Sequence, residues 1–323
     1  MHTFSCEQLK QQLQQVIVGQ EDLLDRLIIA LISGGHVLLE GPPGLAKTTA
    51  VHALAGSVHA TFQRIQFTPD LMPGDLTGSE IFEPSSRTSG GSFHFQPGPL
   101  FHEIILADEI NRAPPKVQSA LLEAMAEHQI TVGSKTHTLP PLFMVLATQN
   151  PLENAGTYSL PEAQLDRFLF HLIMQYPTPE EEVEILRRTR RADDGRLDAN
   201  IKAIAQPEDI LALRSQLNSI HVEASIEKYV AELANASRDI KTYIPEWDGI
   251  VQAGVSPRGS ISLLRAACTR ALLSQRDYVI PEDVINLATD VLRHRLVLDF
   301  SAQVEGINGR QIIEKLIERI AAP

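Results

Sequence analysis

Two apolar periods alternate along the first part of the chain. In residues 21–33, Leu23, Leu24, Leu27, Ile28, Leu31 and Ile32 recur at helical spacing. A short apolar run at 36–40 then enters a Gly/Pro-rich turn. Residues 63–68, 104–107 and 143–148 are further short apolar runs, of the kind that form strands buried on both faces. Between them, residues 116–127 place Val117, Ala120, Leu121, Ala124 and Met125 on one face of a helix. Strand and helix patterns in alternation predict an α/β fold built on a parallel sheet.

The pattern changes at Gln175-Tyr176-Pro177-Thr178-Pro179, beyond which helical spacing dominates and no strand pattern stands out. Thr178 with Glu181 has the form of a capping box, and Pro179 suits the first helical position. Ser256-Pro257 and Pro281-Glu282-Asp283 announce two more helices in the same way. The expected organisation is therefore an α/β domain over 1–176 and a smaller all-helical domain over 177–323. Two stretches read as insertions in the first domain. One, about 75–101, has strand-like arms around the polar tip 85–92. The other, about 128–141, alternates around Gly133-Ser134 as a β-hairpin does.

Composition narrows the function classes. With 28 basic and 40 acidic residues the formal charge is −12, which argues against a protein that coats nucleic acid. Two cysteines, Cys6 and Cys268, cannot make a disulfide framework and point to a reducing compartment. The N-terminus lacks the features of a signal peptide. The longest run that could tempt a membrane reading, 27–39, is uncharged but is broken by Gly34-Gly35-His36 and falls short of the roughly 18 residues of a span. A cytoplasmic protein with no membrane span is expected.

The chemistry lies in the turn after the first strand, Gly41-Pro42-Pro43-Gly44-Leu45-Ala46-Lys47-Thr48. A Gly-rich loop between a strand and a helix turns successive N–H groups toward phosphate oxygens, and the helix N-terminus favours negative charge. Lys47 would neutralise the β- and γ-phosphates of ATP, and the Thr48 hydroxyl would bind Mg²⁺. Ala46 stands where glycine is usual, so a left-handed conformation there would cost on the order of 1 kcal/mol. At the end of the strand 104–107, Asp108 can hold Mg²⁺ through water and Glu109 can orient and deprotonate the attacking water. After the strand 143–148 comes Gln149-Asn150-Pro151. Asn150 could position water beside the γ-phosphate, although an Asn before Pro is also an ordinary turn residue. Arg167 and Arg258, each taken alone, would equally suit a surface ion pair.

These motifs together resemble the AAA+ ATPases, and within them the MoxR family. The resemblance is carried by Val18-Gly19-Gln20, by Gly41 to Thr49, and by the string from Ala107 to Pro115. It continues through Ala147 to Pro151 and Leu160 to Phe168, and runs from about residue 13 to about residue 300. Alanine before the lysine is usual in that family. The resemblance implies an ATPase of P-loop fold followed by a helical lid. It places Val18, Gly19 and Gln20 by the adenine base and assigns Gly41 to Thr49 and Asp108 to the nucleotide. Asn150 would be the first sensor and Arg258 the second, reaching ATP from the helical domain. Arg167 would be an arginine finger acting on a neighbouring subunit, with Arg112 near the same interface. The two insertions would be the helix-2 insert and the pre-sensor-1 hairpin, facing a central pore.

The family likeness further implies a homo-oligomeric ring, a hexamer, that remodels, assembles or activates a protein client, with a von Willebrand factor A domain protein as a partner. The alternatives are a nucleic-acid motor or magnesium-chelatase-like motor subunit, and a nucleotide switch with little turnover. The insert tips carry only Arg87 and Lys135, without the aromatic and basic interleaving that stacks bases. The eleven histidines show no metal-ligand spacing; His52 and His59 read as packing or surface residues, and Trp247 as a lone packing residue.

Overall fold

A computed structural model describes residues 6–42, 44–84, 91–150, 156–191 and 201–323. Pro43, the insert tip 85–90 with Arg87, and Pro151 lie outside the described residues. In chain order the strands are β1 (Val37–Glu40), β2 (Phe62–Gln66), β3 (Gly78–Pro84), β4 (Gly91–Pro97) and β5 (Ile104–Asp108). There follow β6 (Gln129–Val132), β7 (Lys135–Thr138), β8 (Met144–Gln149) and β9 (Phe170–Ile173).

The four apolar runs of the sequence all become strands of one parallel sheet with the order β2-β5-β8-β1-β9. Phe62 lies opposite Ile104, and Ile104 opposite Met144, in parallel register. Burial on both faces explains the runs of β1, β5 and β8, where Ile104, Ile105, Leu106 and Ala107 are all fully buried. β2 instead lies at the sheet edge with only Ile65 buried and Arg64 and Gln66 exposed, so residues 63–68 do not form the doubly buried strand expected of them. β9 gives no such run, because His171 interrupts four residues. This order sets the carboxyl ends of β5, β8 and β1 side by side, where open α/β sheets gather their ligands.

By density of contacts the chain divides into two units, each assembled from separated stretches. One comprises Met1–Leu24, Leu38–Leu160 and Ile173–Ile210; the other comprises Asp25–Val37, Pro161–Leu172 and Leu211–Pro323. In the first, the helix Lys47–Ser57 buries Ala50, Val51 and Leu54. The helix Pro179–Arg191 begins with the reciprocal cap read from the sequence. The Thr178 N–H donates to Glu181 Oε2 (2.8 Å), and the Glu181 N–H donates to Thr178 Oγ1 (3.3 Å).

Both insertions are antiparallel hairpins, β3 with β4 and β6 with β7. The first arm starts at Gly78, since residues Pro73–Thr77 form a helical turn. Gly78 has φ +86°, and a Cβ there would sit 2.2 Å from the Gln96 carbonyl oxygen, so only glycine lets the arms close. Phe95 stacks on His137 at 3.9 Å, joining the two hairpins through a contact that neither pattern announces.

The second unit is mainly helical. Helices Ala224–Arg238, Pro257–Leu273, Pro281–Leu292 and Gly309–Arg319 each bury one apolar stripe, including Leu233, Leu263, Leu287 and Leu316. Two short strands, β10 (Val251–Ala253) and β11 (Val297–Leu298), pair antiparallel. At three and two residues they are too brief to show alternation, and the helix Phe300–Glu305 follows β11. Trp247 is not alone, since the Lys315 ammonium lies 4.4 Å from its ring centroid. Among the described residues no helix is long and apolar enough to cross a membrane.

Candidate active site

β1 runs from a buried apolar stretch directly into the loop. Gly44 has φ +85° and a Cβ built there meets nothing within 4 Å, so the loop backbone is open on that side. Ala46 is left-handed (φ 54°, ψ 26°), the conformation its sequence position put in question, and the helix begins at Lys47. Left-handed residues in such a turn point consecutive N–H groups into one concavity, which suits an anion. The Lys47 ammonium donates to the Gly41 carbonyl oxygen at 2.6 Å. Burial pulls its pKa below the usual lysine range, while Asp108, Glu109 and Glu40 push it back up.

The carboxylates come from the end of β5. Glu109 is itself left-handed (φ 57°), so the chain turns sharply after Asp108 and both side chains face the loop cavity. Thr148, from neighbouring β8, joins them. Its Oγ1 accepts the Glu109 N–H (2.8 Å) and donates to Asp108 Oδ1 (2.6 Å). From β2, Arg64 donates to Asp108 Oδ2 through Nε (3.1 Å) and Nη2 (2.6 Å). Glu109 Oε2 accepts from Gln66 Nε2 (2.8 Å) and Arg112 Nη1 (2.9 Å). Each acid is thus held by side chains that a motif reading passes over. Arg112 enters by pairing with Glu109.

Lys47, Thr48, Thr49, Asp108, Glu109 and Asn150 line one cavity of about 440 Å³. A triphosphate with a divalent cation fits this set. The Gly44 side is unobstructed, the cationic Lys47 rests on a backbone carbonyl, and a hydroxyl and a carboxylate, both hard oxygen donors, share the wall. A second, mostly apolar slot of about 120 Å³ shares Gly44, Leu45 and Ala46 and is closed by Val18, Gln20, Pro177 and Ile185. Val18 and Gln20, which the family resemblance sets by the base, line this slot. Gly19 has φ +66°, and a Cβ there would fall 2.1 Å from Glu181 Oε1. Arg188, absent from the motifs, lines the same slot and donates to the Gln14 (3.1 Å) and Gln15 (2.8 Å) carbonyls. Gly41 and Pro42 precede the open side of the loop.

Arg167 and Arg258 belong to the second unit. Arg167 is half-buried, and its Nε has no hydrogen-bond partner among the described residues. Arg258, 58 % exposed, lies 3.8 Å from Asp166 Oδ2. The two arginines therefore flank the same aspartate, one in sequence and one in space.

A family model described as "ATPase family associated with various cellular activities (AAA)" matches residues 36–170, and one described as "AAA lid domain" matches 248–316. The chain is 43% identical over 320 residues to the chaperone MoxR1 of Mycobacterium tuberculosis, covering 97% of this chain and 81% of that one. It is 32% identical over 329 residues to the protein MoxR of Methylorubrum extorquens, covering 98% and 93%. A crystal structure from Cytophaga hutchinsonii, of a protein assigned as an ATPase, superposes with a TM-score of 0.89 at 42% identity, covering 98% of this chain and 94% of that one.

Proposed function

This chain belongs to the MoxR family of AAA+ ATPases and hydrolyses ATP, and from that premise we propose a Mg²⁺-dependent, ring-forming motor with a chaperone-like role in remodelling, assembling or activating a protein client. The observation that carries this reading is the single cavity that gathers Lys47, Thr48, Asp108, Glu109 and Asn150. The base of ATP takes the apolar slot at Val18 and Gln20, and the phosphates take the concavity of the loop. Lys47 leaves the Gly41 carbonyl for the β- and γ-phosphates. Thr48 and Asp108 hold Mg²⁺, which when bound supplies positive charge to the phosphate oxygens. Glu109 takes the proton of the attacking water, which Asn150 orients.

Gln66 and Arg112 both hold Glu109 Oε2, which orients the carboxylate and directs its other oxygen to the water. Arg167 and Arg258 complete the charge stabilisation. Their common neighbour Asp166 links the two, with Arg258 acting as the second sensor and Arg167 acting on the nucleotide of an adjacent copy. A client and a partner bearing a von Willebrand factor A domain belong to the same reading; it draws on relatives named as a chaperone and as MoxR.

The Glu109→Gln variant tests it. The expected result is unchanged ATP binding and a stable ring in sedimentation, with hydrolysis slowed by about 10²–10⁴-fold. The ATP-trapped variant should then retain protein rather than nucleic acid in pull-down. Hydrolysis at the wild-type rate would remove Glu109 as the base. A salt-dependent stimulation of the ATPase by DNA would replace the protein client with a nucleic-acid track.

A further inference from the structure

The interior of the second unit holds a guanidinium whose contacts converge on the backbone around Arg167. Arg295 lies in the turn Arg293–Arg295 after the helix Pro281–Leu292, and its side chain is 1 % exposed. A charge so far from water persists only if every donor is answered. Arg295 Nε donates to Asp166 Oδ1 at 2.8 Å. Its Nη2 donates to the Phe168 carbonyl (2.8 Å), the Asp166 carbonyl (3.3 Å) and Ser262 Oγ (3.3 Å). Its Nη1 reaches the carbonyls of Leu169 (3.4 Å) and Val291. The carbonyls on both sides of residue 167 are thus held by one planar group.

The neighbouring side chains of the same turn grip the same segment. His294 Nε2 hydrogen-bonds the Phe168 carbonyl oxygen at 3.1 Å, and the Arg293 guanidinium donates to the His171 carbonyl. Asp166 then carries the connection onward. Its second oxygen accepts from Ser256 Oγ (3.0 Å), the cap residue of the helix Pro257–Leu273, and lies 3.8 Å from Arg258 in that helix's first turn. Gly259 follows Arg258, and a Cβ there would meet the Arg295 Cδ at 2.9 Å and Val255 Cγ1 at 2.4 Å, so glycine lets the helix start lie on the Arg295 stem.

We propose that Arg295 is a positioning residue for ATP hydrolysis, which through Asp166 and the carbonyls flanking residue 167 presets Arg167 and Arg258 as one pair. The inference rests on the reading of those two arginines as the groups that meet the transition state. A lysine cannot replace Arg295, because a point charge does not serve a carboxylate and four carbonyls as a planar fork of donors does. Misplacing a catalytic guanidinium by about 1 Å can cost on the order of 10²-fold in rate without loosening nucleotide binding.

The test measures ATPase kinetics of the full-length assembled protein. Arg295→Lys, which keeps the buried charge, should lower kcat by at least about 10-fold with KM for ATP within about 2-fold. Ser256→Ala, which removes one contact and leaves no buried charge unpaired, should lower kcat by about 5-fold. In an Arg167→Ala/Arg258→Ala background both effects should shrink to less than about 2-fold, since both groups being positioned are gone. Equal losses in both backgrounds would make Arg295 a purely structural residue and overturn the proposal. Wild-type kcat in Arg295→Lys and Ser256→Ala, alongside a large loss in Arg167→Ala, would overturn the positioning role and leave the function reading intact. Full activity of Arg167→Ala would sink both.

Discussion

Asp108 and Asp166 both face arginines, and the contrast between them separates what can move from what cannot. Asp108 in the first unit pairs with Arg64, and Asp166 in the second pairs with Arg295. The carboxylates are alike in exposure, 17 % and 19 %, but the arginines differ, at 50 % for Arg64 and 1 % for Arg295. An arginine half in water exchanges its partner for solvent at little cost, whereas a buried one has no alternative partner. The first pair therefore suits the role proposed for Asp108, a Mg²⁺ ligand that would release a cation on loading, and the second suits a fixed frame.

Removing each arginine should separate the two pairs most clearly. Arg295→Met takes one donor from Asp166 and from the carbonyls of 166, 168 and 169, and breaking a buried pair from one side costs about 3–5 kcal/mol. Urea unfolding, followed by a probe in the second unit such as Trp247 fluorescence, should show this loss. A change below about 1 kcal/mol would mean the cluster is solvated and the contrast is false.

The next effect falls at Thr148, which is 2 % exposed and ties both acids together. Thr148→Val keeps the shape but leaves the Glu109 N–H and Asp108 Oδ1 each short of one partner. The expected loss is about 1–3 kcal/mol of stability together with slower hydrolysis, read by thermal unfolding and ATPase rate. Unchanged stability with unchanged rate would show that water replaces the hydroxyl and that the acids orient themselves.

Thr148 also marks where the sequence stops being informative. Signals carried by consecutive residues were legible: the apolar runs of the inner strands, the turn from Gly41 to Thr48, the adjacent acids after β5, and the Thr178–Glu181 cap. Each is local, because burial on two faces or a helix start leaves its mark within a few positions. Arg64, Gln66 and Thr148 reach the acids because three parallel strands lie in register, a relation that links positions about 40 to 80 apart. Arg188 closes the base slot from a helix far along the chain, and it reads in sequence as one of several basic residues in an amphipathic pattern. Arg293-His294-Arg295 looks like a solvated basic triplet, yet all three are buried, and each sends at least one nitrogen to a carbonyl of 166–171. β9 escaped notice because His171, midway along it, broke the apolar run.

The smallest effect on stability should come from Arg64, and there the contrast becomes a statement about the motor. Arg64→Met removes a half-exposed partner, so unfolding free energy should change by no more than about 1 kcal/mol. The consequence appears instead in the metal requirement. In the wild type the guanidinium holds the Asp108 oxygen at 2.6 Å, and Mg²⁺ must compete with it. With the competitor gone, the Mg²⁺ concentration for half-maximal ATPase activity should fall by about 2–5-fold, equivalent to roughly 1 kcal/mol or less. Raising ionic strength should narrow the gap between variant and wild type, because screening weakens an exposed pair first. A rise in the Mg²⁺ requirement would reverse the assignment. Arg64 would then stabilise the loaded site, and Asp108 would be as fixed in its place as Asp166.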